Sequence, residues 1–323
     1  MLVINNLTKM YSGKPVNNSI SFTVEKGEIF GLLGPNGSGK TTLISQIIGF
    51  LKPTKGYIKV SGIDVISAPD MARKLCSLQP QENISLNGLT PRQAIELTGR
   101  IRNGNKREIK EKTDELLKVL QLEEWADQQT EKLSGGIKRL VTFCMAVVVP
   151  GKLVILDEPT NDVDPISRKL LWEQVRKVAN GGATVLLITH NVLEAERSVD
   201  RLALINNGKL VEVGTPASLK GAFNKKLRLE LTLYRKDEDL NYPSYVSVIS
   251  HNKQKVILSL SKEHSKDLMD WVFSLQETNK IEEFSLSPAT LEDAYSSIIG
   301  SIGHQEMEEE QYAISYSVGN YYE

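Results

Sequence analysis

The sequence predicts an α/β fold with a parallel-sheet core, followed by a small α+β domain. Two continuous apolar runs, KLVILDEP at 152–159 and ATVLLIT at 183–189, are typical of parallel strands buried on both faces. A glycine-rich turn at 34–42 joins an apolar strand to an apolar helix. After about residue 221 the segments LRLELTLY, YVSVIS and KVILSL alternate with period two, which favours half-buried antiparallel strands.

The first elements of the core follow from the same patterns. Alternating apolar residues predict strands at Ile20–Val24 and Glu28–Leu33, and the helix after the glycine-rich turn is expected at Thr41–Phe50. The lysine, proline and glycine residues at 52–56 predict a turn that leads into a strand at Tyr57–Val60. An antiparallel β subdomain is expected beside the parallel-sheet core.

A helical subdomain is expected from about residue 89 to 134, inserted into the α/β core. Pro91 suits the first turn of a helix. Ile109, Leu116 and Leu120 recur with a helical period. The core domain as a whole is expected to cover residues 1–220.

The accessory α+β domain is expected at 221–302. A helix-like stretch around Lys266–Leu275 follows its first three strands, and IEEFSL then leads to a helix candidate at Pro288–Ile299. The last segment, 303–323, is acidic and then rich in tyrosine and serine, so we expect a flexible tail.

Composition limits the classes of function. The chain has 323 residues and a net charge of −1, so no basic field predicts a nucleic-acid partner. Its two cysteines, Cys76 and Cys144, lie in apolar segments without metal-type spacing. The most apolar run, Val141–Val149, ends at Pro150, well short of the roughly 20 residues of a membrane helix. The first residues lack the pattern of a secretory signal, so none is expected.

The turn GPNGSGKTT has the spacing of a phosphate-binding P-loop, Gly34-x-x-x-x-Gly39-Lys40-Thr41. A strand that enters a helix through such a turn lines up backbone N–H groups at the positive end of the helix dipole, which favours anions. Lys40 is expected to reach the outer phosphates, and the Thr41 hydroxyl to bind Mg²⁺. The residues predicted to bind the nucleotide here are Gly34, Asn36, Gly37, Ser38, Gly39, Lys40, Thr41 and Thr42.

LVILDEP supplies two acids at the end of a buried strand. Asp157 can hold a magnesium ion, and Glu158 can orient or deprotonate a water molecule. The alternative is a solvated pair of acids at a strand end. A P-loop in the same chain favours the first interpretation, a Walker B segment.

The order of motifs resembles the nucleotide-binding domain of ATP-binding-cassette (ABC) proteins, over about residues 1–220. Besides the two segments above, LSGGIK at 133–138 looks like the family signature and TNDVD at 160–164 like the D-loop. PQEN at 80–83 is similar to the Q-loop, and ITH at 188–190 to the switch region. The resemblance implies the fold of P-loop NTPases, with ATP and Mg²⁺ as cofactors.

The resemblance also implies roles for three separate residues. Tyr11 would stack on the adenine ring, unless it is a plain tyrosine at a strand end. Gln81, chosen over Gln79, would contact Mg²⁺ or the attacking water at the edge of the helical subdomain. His190 would contact the γ-phosphate and hold the water in place.

In the family's architecture the signature belongs to a composite site. Ser134, Gly135 and Gly136 would bind the nucleotide held by a second nucleotide-binding domain, as would Asp164 of the D-loop. The chain contains one such domain, so a homodimer or a heterodimer is implied. Ile137 stands where the signature usually has glutamine, and Asp162 where glycine is common in the D-loop, but neither removes a phosphate ligand or the base.

SPATLEDAY at 287–295 resembles the C-terminal segment of ATPases from daunorubicin-type drug and peptide exporters. The same letters also fit an amphipathic helix with Leu291, Ala294, Tyr295 and Ile298 facing a core. The resemblance implies an ATPase subunit at the cytoplasmic face of the cell membrane that drives export through a separate permease. An importer ATPase, and a soluble ABC ATPase that acts on nucleic acid or ribosomes, are the alternatives.

Overall fold

The computed structural model describes residues 1–82, 84–86, 88–221, 225–236 and 240–296. The chain divides into two compact units, Met1–Pro216 and Ala217–Glu323. The predicted tail at 303–323 and residue Ile298 lie outside the described residues. Among the described residues, no helix is long and apolar enough to cross a membrane.

The first unit contains ten strands and seven helices in its described part, with short 3₁₀ segments at Glu123–Trp125 and Thr130–Lys132. The strands are β1 (Leu2–Tyr11), β2 (Lys14–Val24), β3 (Ile29–Leu33), β4 (Lys55–Val60), β5 (Ile63–Asp64), β6 (Cys76–Gln79), β7 (Leu153–Asp157), β8 (Thr184–Thr189), β9 (Arg201–Asn206) and β10 (Lys209–Gly214). The helices are α1 (Lys40–Ile47), α2 (Pro69–Leu75), α3 (Pro91–Ile101), α4 (Lys106–Val119), α5 (Gly135–Val147), α6 (Pro165–Asn180) and α7 (Val192–Ser198), and a short α8 (Pro216–Leu219) lies at the boundary between the units.

The central sheet has six strands in the order β10-β9-β3-β8-β7-β6, parallel except for β10. Every residue of β3, β7 and β8 is buried, as the continuous apolar runs predict. Leu33 pairs with Thr189 and Asp157 pairs with Ile188, so these three strands end at the same edge of the sheet. The α/β fold with a parallel core is thereby confirmed.

A second sheet is antiparallel, in the order β2-β1-β4-β5. Its strand β1 was not among the elements predicted from the sequence. The pairing of β1 with β2 is interrupted by three register shifts, and Asn6 has a φ of 46°. These irregularities break the apolar alternation along β1, so the sequence carries no clean strand signal there.

Helices α3 and α4 follow the predicted helical pattern. Thr90 caps α3 in a capping box with Gln93, and Pro91 occupies the first turn as expected. Asn105 caps α4 through the backbone N–H groups of Arg107 and Glu108. Ile109, Leu116 and Leu117 of α4 are buried.

The second unit has a four-stranded antiparallel sheet in the order β12-β13-β11-β14. Its strands are β11 (Lys226–Leu233), β12 (Val246–Asn252), β13 (Lys255–Ser261) and β14 (Ile281–Pro288), and a 3₁₀ segment at Lys262–His264 leads into helix α9 (Ser265–Glu277). The inner faces of β11 and β13 pack with Leu268, Val272 and Leu275 of α9 in one core. The period-two pattern of the sequence is the signature of this half-buried sheet.

The SPATLEDAY segment begins as strand and ends as helix. Strand β14 runs to Pro288, and helix covers 291–296, so the helix starts later than the predicted Pro288. The reason is a cap: Asp293 accepts hydrogen bonds from the Thr290 backbone and hydroxyl, and the Asp293 N–H donates to Thr290 Oγ1. Leu291 and Ala294 are fully buried.

Candidate functional site

Three adjacent strand ends carry the predicted site. β3 leads into the P-loop, β7 ends at Asp157 and is followed by Glu158, and β8 ends at Thr189 and is followed by His190. In the sheet, β8 lies between β3 and β7. Loops beyond the carboxyl ends of parallel strands are the usual binding edge of an open α/β sheet.

The P-loop backbone is packed tightly against its neighbours at two glycines. A Cβ on Gly34 would lie 2.2 Å from the Ile205 carbonyl oxygen. Gly39 has a φ of 97°, and a Cβ there would lie 2.5 Å from Asn17 Nδ2. The first position requires glycine for space and the second also for its left-handed backbone.

Asn17 and Gln46 form a buried amide pair beneath this loop. Asn17 Nδ2 donates to the Gly39 carbonyl at 3.1 Å, and Gln46 Nε2 donates to Asn17 Oδ1 at 2.8 Å. Both side chains are buried completely. Sequence reasoning missed these two residues, because both lie in segments that contain several other polar residues.

The Lys40 side chain is hydrogen-bonded to the backbone of the P-loop. Its Nζ donates to the carbonyl oxygens of Gly34 at 2.8 Å and Pro35 at 2.9 Å. Burial lowers the pKa of the Lys40 amine, while the charges of Glu158 and Asp157 raise it. The ammonium therefore lies within electrostatic range of the Walker B acids.

The environment of the Ser38 hydroxyl indicates whether the loop can bind a phosphate. Its side chain is 2% exposed, and its Oγ has no hydrogen-bond partner in the described structure. Asn36, Gly37 and Thr41 are exposed around it. A buried hydroxyl without a partner costs free energy, which a phosphate oxygen can recover, so the loop fits the nucleotide.

The environment of the Asp157 carboxylate indicates whether the site can bind a cation. The residue is 7% exposed, and burial, together with the neighbouring Glu158 charge, raises its pKa to about 6. Lys40 and Arg139 lower this pKa in turn. A divalent cation would compensate the buried carboxylate, and its oxygen and the Thr41 hydroxyl are the hard ligands that Mg²⁺ prefers.

Glu158 is fixed by the switch segment. Its Oε2 accepts from Thr189 Oγ1 at 3.1 Å, and its Oε1 accepts from the His190 backbone N–H at 2.9 Å. The ring Nδ1 of His190 lies 2.6 Å from the same Oε1. Nε2 is therefore the ring nitrogen left for a phosphate oxygen or a water.

A hydrogen-bonded chain continues from this pair to the D-loop segment. Thr189 Oγ1 accepts from the Asn191 N–H at 3.0 Å, and Asn191 Oδ1 accepts from the Glu194 N–H at 3.0 Å. Glu194 accepts from Thr160 Oγ1 at 2.7 Å and from Trp172 Nε1 at 2.8 Å. Sequence reasoning missed this chain, because the bonds of Glu194 to Thr160 and Trp172 join residues more than twenty positions apart, which meet only in the folded chain.

The signature segment contacts the D-loop segment of its own chain. Ser134 caps α5, and its Oγ accepts from the Ile137 N–H at 3.4 Å. A Cβ on Gly136 would lie 2.4 Å from the Asp162 carbonyl oxygen, so only glycine fits there. The backbone of Gly136 therefore lies directly against the D-loop backbone at Asp162 and Val163.

Asp164 is the N-cap of α6. Its Oδ1 accepts from the backbone N–H groups of Ile166 and Ser167, each at 3.0 Å. Hydrogen bonds from Ser167 lower the pKa of the Asp164 carboxyl. The structure thus gives this predicted nucleotide contact a local role as a helix cap.

The two candidate glutamines differ sharply in environment. Gln79, the last residue of β6, is completely buried, and its Nε2 donates to the Arg139 carbonyl at 3.1 Å. Gln81 is exposed, and its backbone carbonyl accepts a hydrogen bond from Arg139 Nη2. An exposed amide can reach a ligand and a buried, bonded one cannot, which supports the choice of Gln81 over Gln79.

Tyr11, at the end of β1, is 47% exposed. The Nζ of Lys9 lies 5.2 Å from the centre of its ring. An exposed ring beside a cation fits a stacking partner for a purine. It also fits the alternative of a plain tyrosine at a strand end.

The chain is similar to known proteins of one family. The sequence pattern of the ABC transporter family matches residues 17–161. The chain is 42% identical over 217 residues to the Nod factor export ATP-binding protein I of Rhizobium meliloti strain 1021, which covers 67% of this chain and 64% of the relative. It is 40% identical over 214 residues to the protein of the same name from Rhizobium johnstonii, with 66% and 68% covered.

A solved structure described as the ATP-binding subunit of an ABC transporter superposes with a TM-score of 0.65 at 28% identity. It covers 69% of this chain and 93% of its own. The chain matches less than two thirds of the length of the first relative above. The fold, the P-loop, the Walker B acids and these similarities agree, and the chain belongs to the ABC transporter family as an ATP-binding protein.

Proposed function

We propose that this chain is the ATP-hydrolysing subunit of an exporter and that it acts on a separate membrane permease. The observation that carries the proposal is the meeting of the P-loop, Asp157, Glu158 and His190 at three adjacent strand ends. A P-loop alone binds phosphate. The acids and the histidine add what hydrolysis needs, a metal ligand and a positioned base.

Each residue of the site has a role that its contacts support. Lys40 and the N–H groups of residues 34–42 bind the phosphates, once Lys40 Nζ exchanges the two carbonyls that it now contacts. Thr41 and Asp157 would hold Mg²⁺, and the ion would neutralise charge on the phosphate oxygens. Glu158 orients or deprotonates the attacking water, and His190 Nε2 contacts the γ-phosphate.

The remaining predicted residues complete the site in two ways. Gln81 lies exposed beyond β6 and would sense Mg²⁺ or the water, while Tyr11 stacks on adenine. Ser134, Gly135 and Gly136 form a capped helix start that would bind the nucleotide of a second copy. Two copies would close on ATP and separate after hydrolysis.

Export is supported by the relatives, which are named as Nod factor export ATP-binding proteins. The chain would work at the cytoplasmic face of the membrane, bound to the permease. The transported molecule would be recognised by the permease. An ATPase subunit of this kind supplies the energy for transport and does not contain the substrate-binding pocket.

The test is to purify the tagged chain from its native membranes with detergent and to assay ATP hydrolysis. We expect a protein with several membrane spans to co-purify and Mg²⁺-dependent turnover to be present. Recovery with nucleic acid or ribosomes would contradict the transport proposal but leave the ATPase intact. Dependence of transport on an extracellular binding protein would indicate import instead.

A further inference from the structure

Just after the end of strand β6, the backbone is hydrogen-bonded to a buried arginine. Arg139 of α5 is 4% exposed. Its Nη1 donates to the Pro80 carbonyl at 2.7 Å, and its Nη2 donates to the Gln81 carbonyl. The planar guanidinium thus fixes two successive carbonyls with two donors in one geometry.

The contact is reciprocal. The Arg139 carbonyl accepts from Gln79 Nε2 at 3.1 Å, so three consecutive residues, 79 to 81, are bonded to one residue of α5. Helix α5 begins at Gly135, directly after the Ser134 cap. The same rigid helix therefore carries the signature at its start and the anchor of the Q-loop one turn later.

The charge of Arg139 is compensated from the site itself. Burial lowers the pKa of its guanidinium, and the carboxylates of Asp157, Asp162 and Glu158 raise it. These acids belong to the Walker B and D-loop segments. A buried cation needs acidic groups nearby to offset the loss of hydration, and these three carboxylates provide them.

We propose that Arg139 is a positioning residue that sets the place of Gln81 and couples the signature helix to the Q-loop. The proposal rests on the proposed ATPase function. It adds that Arg139 acts on hydrolysis through Gln81, without contacting the nucleotide, so its loss lowers turnover rather than ATP affinity. Displacement of a catalytic group by about 1 Å can cost roughly a hundredfold in rate.

The chain supplies a matched control at the other end of β6. Arg102 Nε donates to the Val149 carbonyl at 2.7 Å, and its Nη1 donates to the Cys76 carbonyl at 2.8 Å. Burial lowers the pKa of Arg102 as well. It is a partly buried arginine that clamps two carbonyls but does not touch the Q-loop.

The experiment compares Arg139→Gln, Arg139→Lys and Arg102→Gln in the full chain without nucleotide, by hydrogen exchange of the backbone. We expect Arg139→Gln to speed exchange at residues 81 and 82, and Arg102→Gln to speed it near 76 and 149 instead. The exchange rate in Arg139→Lys should fall between those of wild type and Arg139→Gln. An ammonium keeps the positive charge but lacks the two fixed N–H donors of the guanidinium.

Kinetics then test the coupling. We expect Arg139→Gln to lower kcat by about tenfold to a hundredfold with little change in the Kd of ATP, while Arg102→Gln keeps kcat near wild type. Combined with Gln81→Ala, Arg139→Gln should add little, because both changes remove one function.

Additive losses in the double variant, or equal losses of kcat in Arg139→Gln and Arg102→Gln, would overturn the proposal. If wild type does not hydrolyse ATP, the proposed function fails, but hydrogen exchange still tests the positioning role. Unchanged exchange at residues 81 and 82 in both Arg139 variants overturns that role. Arg139→Lys keeps the test valid if Arg139→Gln does not fold.

Discussion

The ring Nδ1 of His190 lies 2.6 Å from Glu158 Oε1, and the His190 backbone N–H donates to the same oxygen at 2.9 Å. Glu158 itself has a φ of 49°, a strained value for a glutamate. Its N–H donates to the Ile188 carbonyl at 2.9 Å, which helps to hold the turn. Strain at such a position supports a functional reason for the turn, and the turn brings the carboxylate to the histidine.

Replacing Glu158 by glutamine should abolish turnover and keep ATP binding. The amide has nearly the same shape and can still accept a hydrogen bond from Thr189 or His190, but it cannot take a proton. We expect kcat to fall by about 10²- to 10⁴-fold with the Kd of ATP unchanged, measured by phosphate release and nucleotide binding. Glu173→Gln, the same change at an exposed position on α6, is the control and should be silent. Turnover above a tenth of wild type would rule out Glu158 as the base.

Thr189→Val should lower kcat without preventing folding. The substitution keeps the branched shape in β8 but removes the hydroxyl that donates to Glu158 and accepts from Asn191. We expect a several-fold loss of kcat and a decrease of about 1 to 3 kcal/mol in the free energy of unfolding. Thr184→Val, at the other end of the same strand, removes the contacts to Gly27 and Glu25 and should affect stability alone. Equal effects of the two variants on kcat would contradict this.

Gly136→Ala should displace the D-loop segment. The added methyl would lie 2.4 Å from the Asp162 carbonyl oxygen, so the backbone must move apart. We expect loss of ATP-dependent dimerisation, measured by light scattering of the hydrolysis-deficient Glu158→Gln background. The control is Gly181→Ala, whose φ is −72° and whose nearest neighbour would lie at 3.3 Å, so the change should be tolerated. Normal dimerisation of Gly136→Ala would show that the segment adapts.

The sequence predicted the parts of the site that depend on local order. Asp157 ends one buried apolar strand, and Lys40 and His190 lie beyond the ends of two others, so parallel strands that end together bring them to one edge. The continuous apolar runs and the glycine-rich turn of the sequence are enough to infer this geometry. The ABC family, the fold class and the ATP-binding role are confirmed.

The supporting contacts could not be predicted in this way. The bond of Arg139 to the carbonyls of Pro80 and Gln81 joins residues more than fifty positions apart, and the Asn17–Gln46 pair lies beneath a loop. Every residue has a backbone carbonyl, so the acceptor of such a hydrogen bond can be any residue type. The amino-acid sequence therefore does not show which residues are joined.

Asp293→Ala should destabilise the second unit. Asp293 caps the helix at 291–296 and pairs with Arg228 of β11, which also contacts Glu230. Removing one partner of a mostly buried pair costs about 3 kcal/mol. Urea unfolding followed by hydrogen exchange in 225–296 measures the loss. Glu292→Ala, its exposed neighbour, should be neutral; equal effects would mean that the ion pair is not what holds the helix.

Asp164→Ala should destabilise the chain in a way that depends on pH. The carboxylate caps α6, and its loss should lower the free energy of unfolding by about 1 kcal/mol at neutral pH. Hydrogen bonds from Ser167 lower the pKa of Asp164 from an ordinary value of 3.8, so the folded state favours the charged form. This contribution is present above the unfolded pKa and is lost as the pH falls through the folded pKa. The difference between wild type and variant should therefore shrink below about pH 4, measured by urea unfolding from pH 7 to pH 3. Asp164→Asn keeps the cap and removes the titration, so its difference from wild type should be small throughout. A constant difference between wild type and Asp164→Ala across this range would show that the cap does not depend on charge.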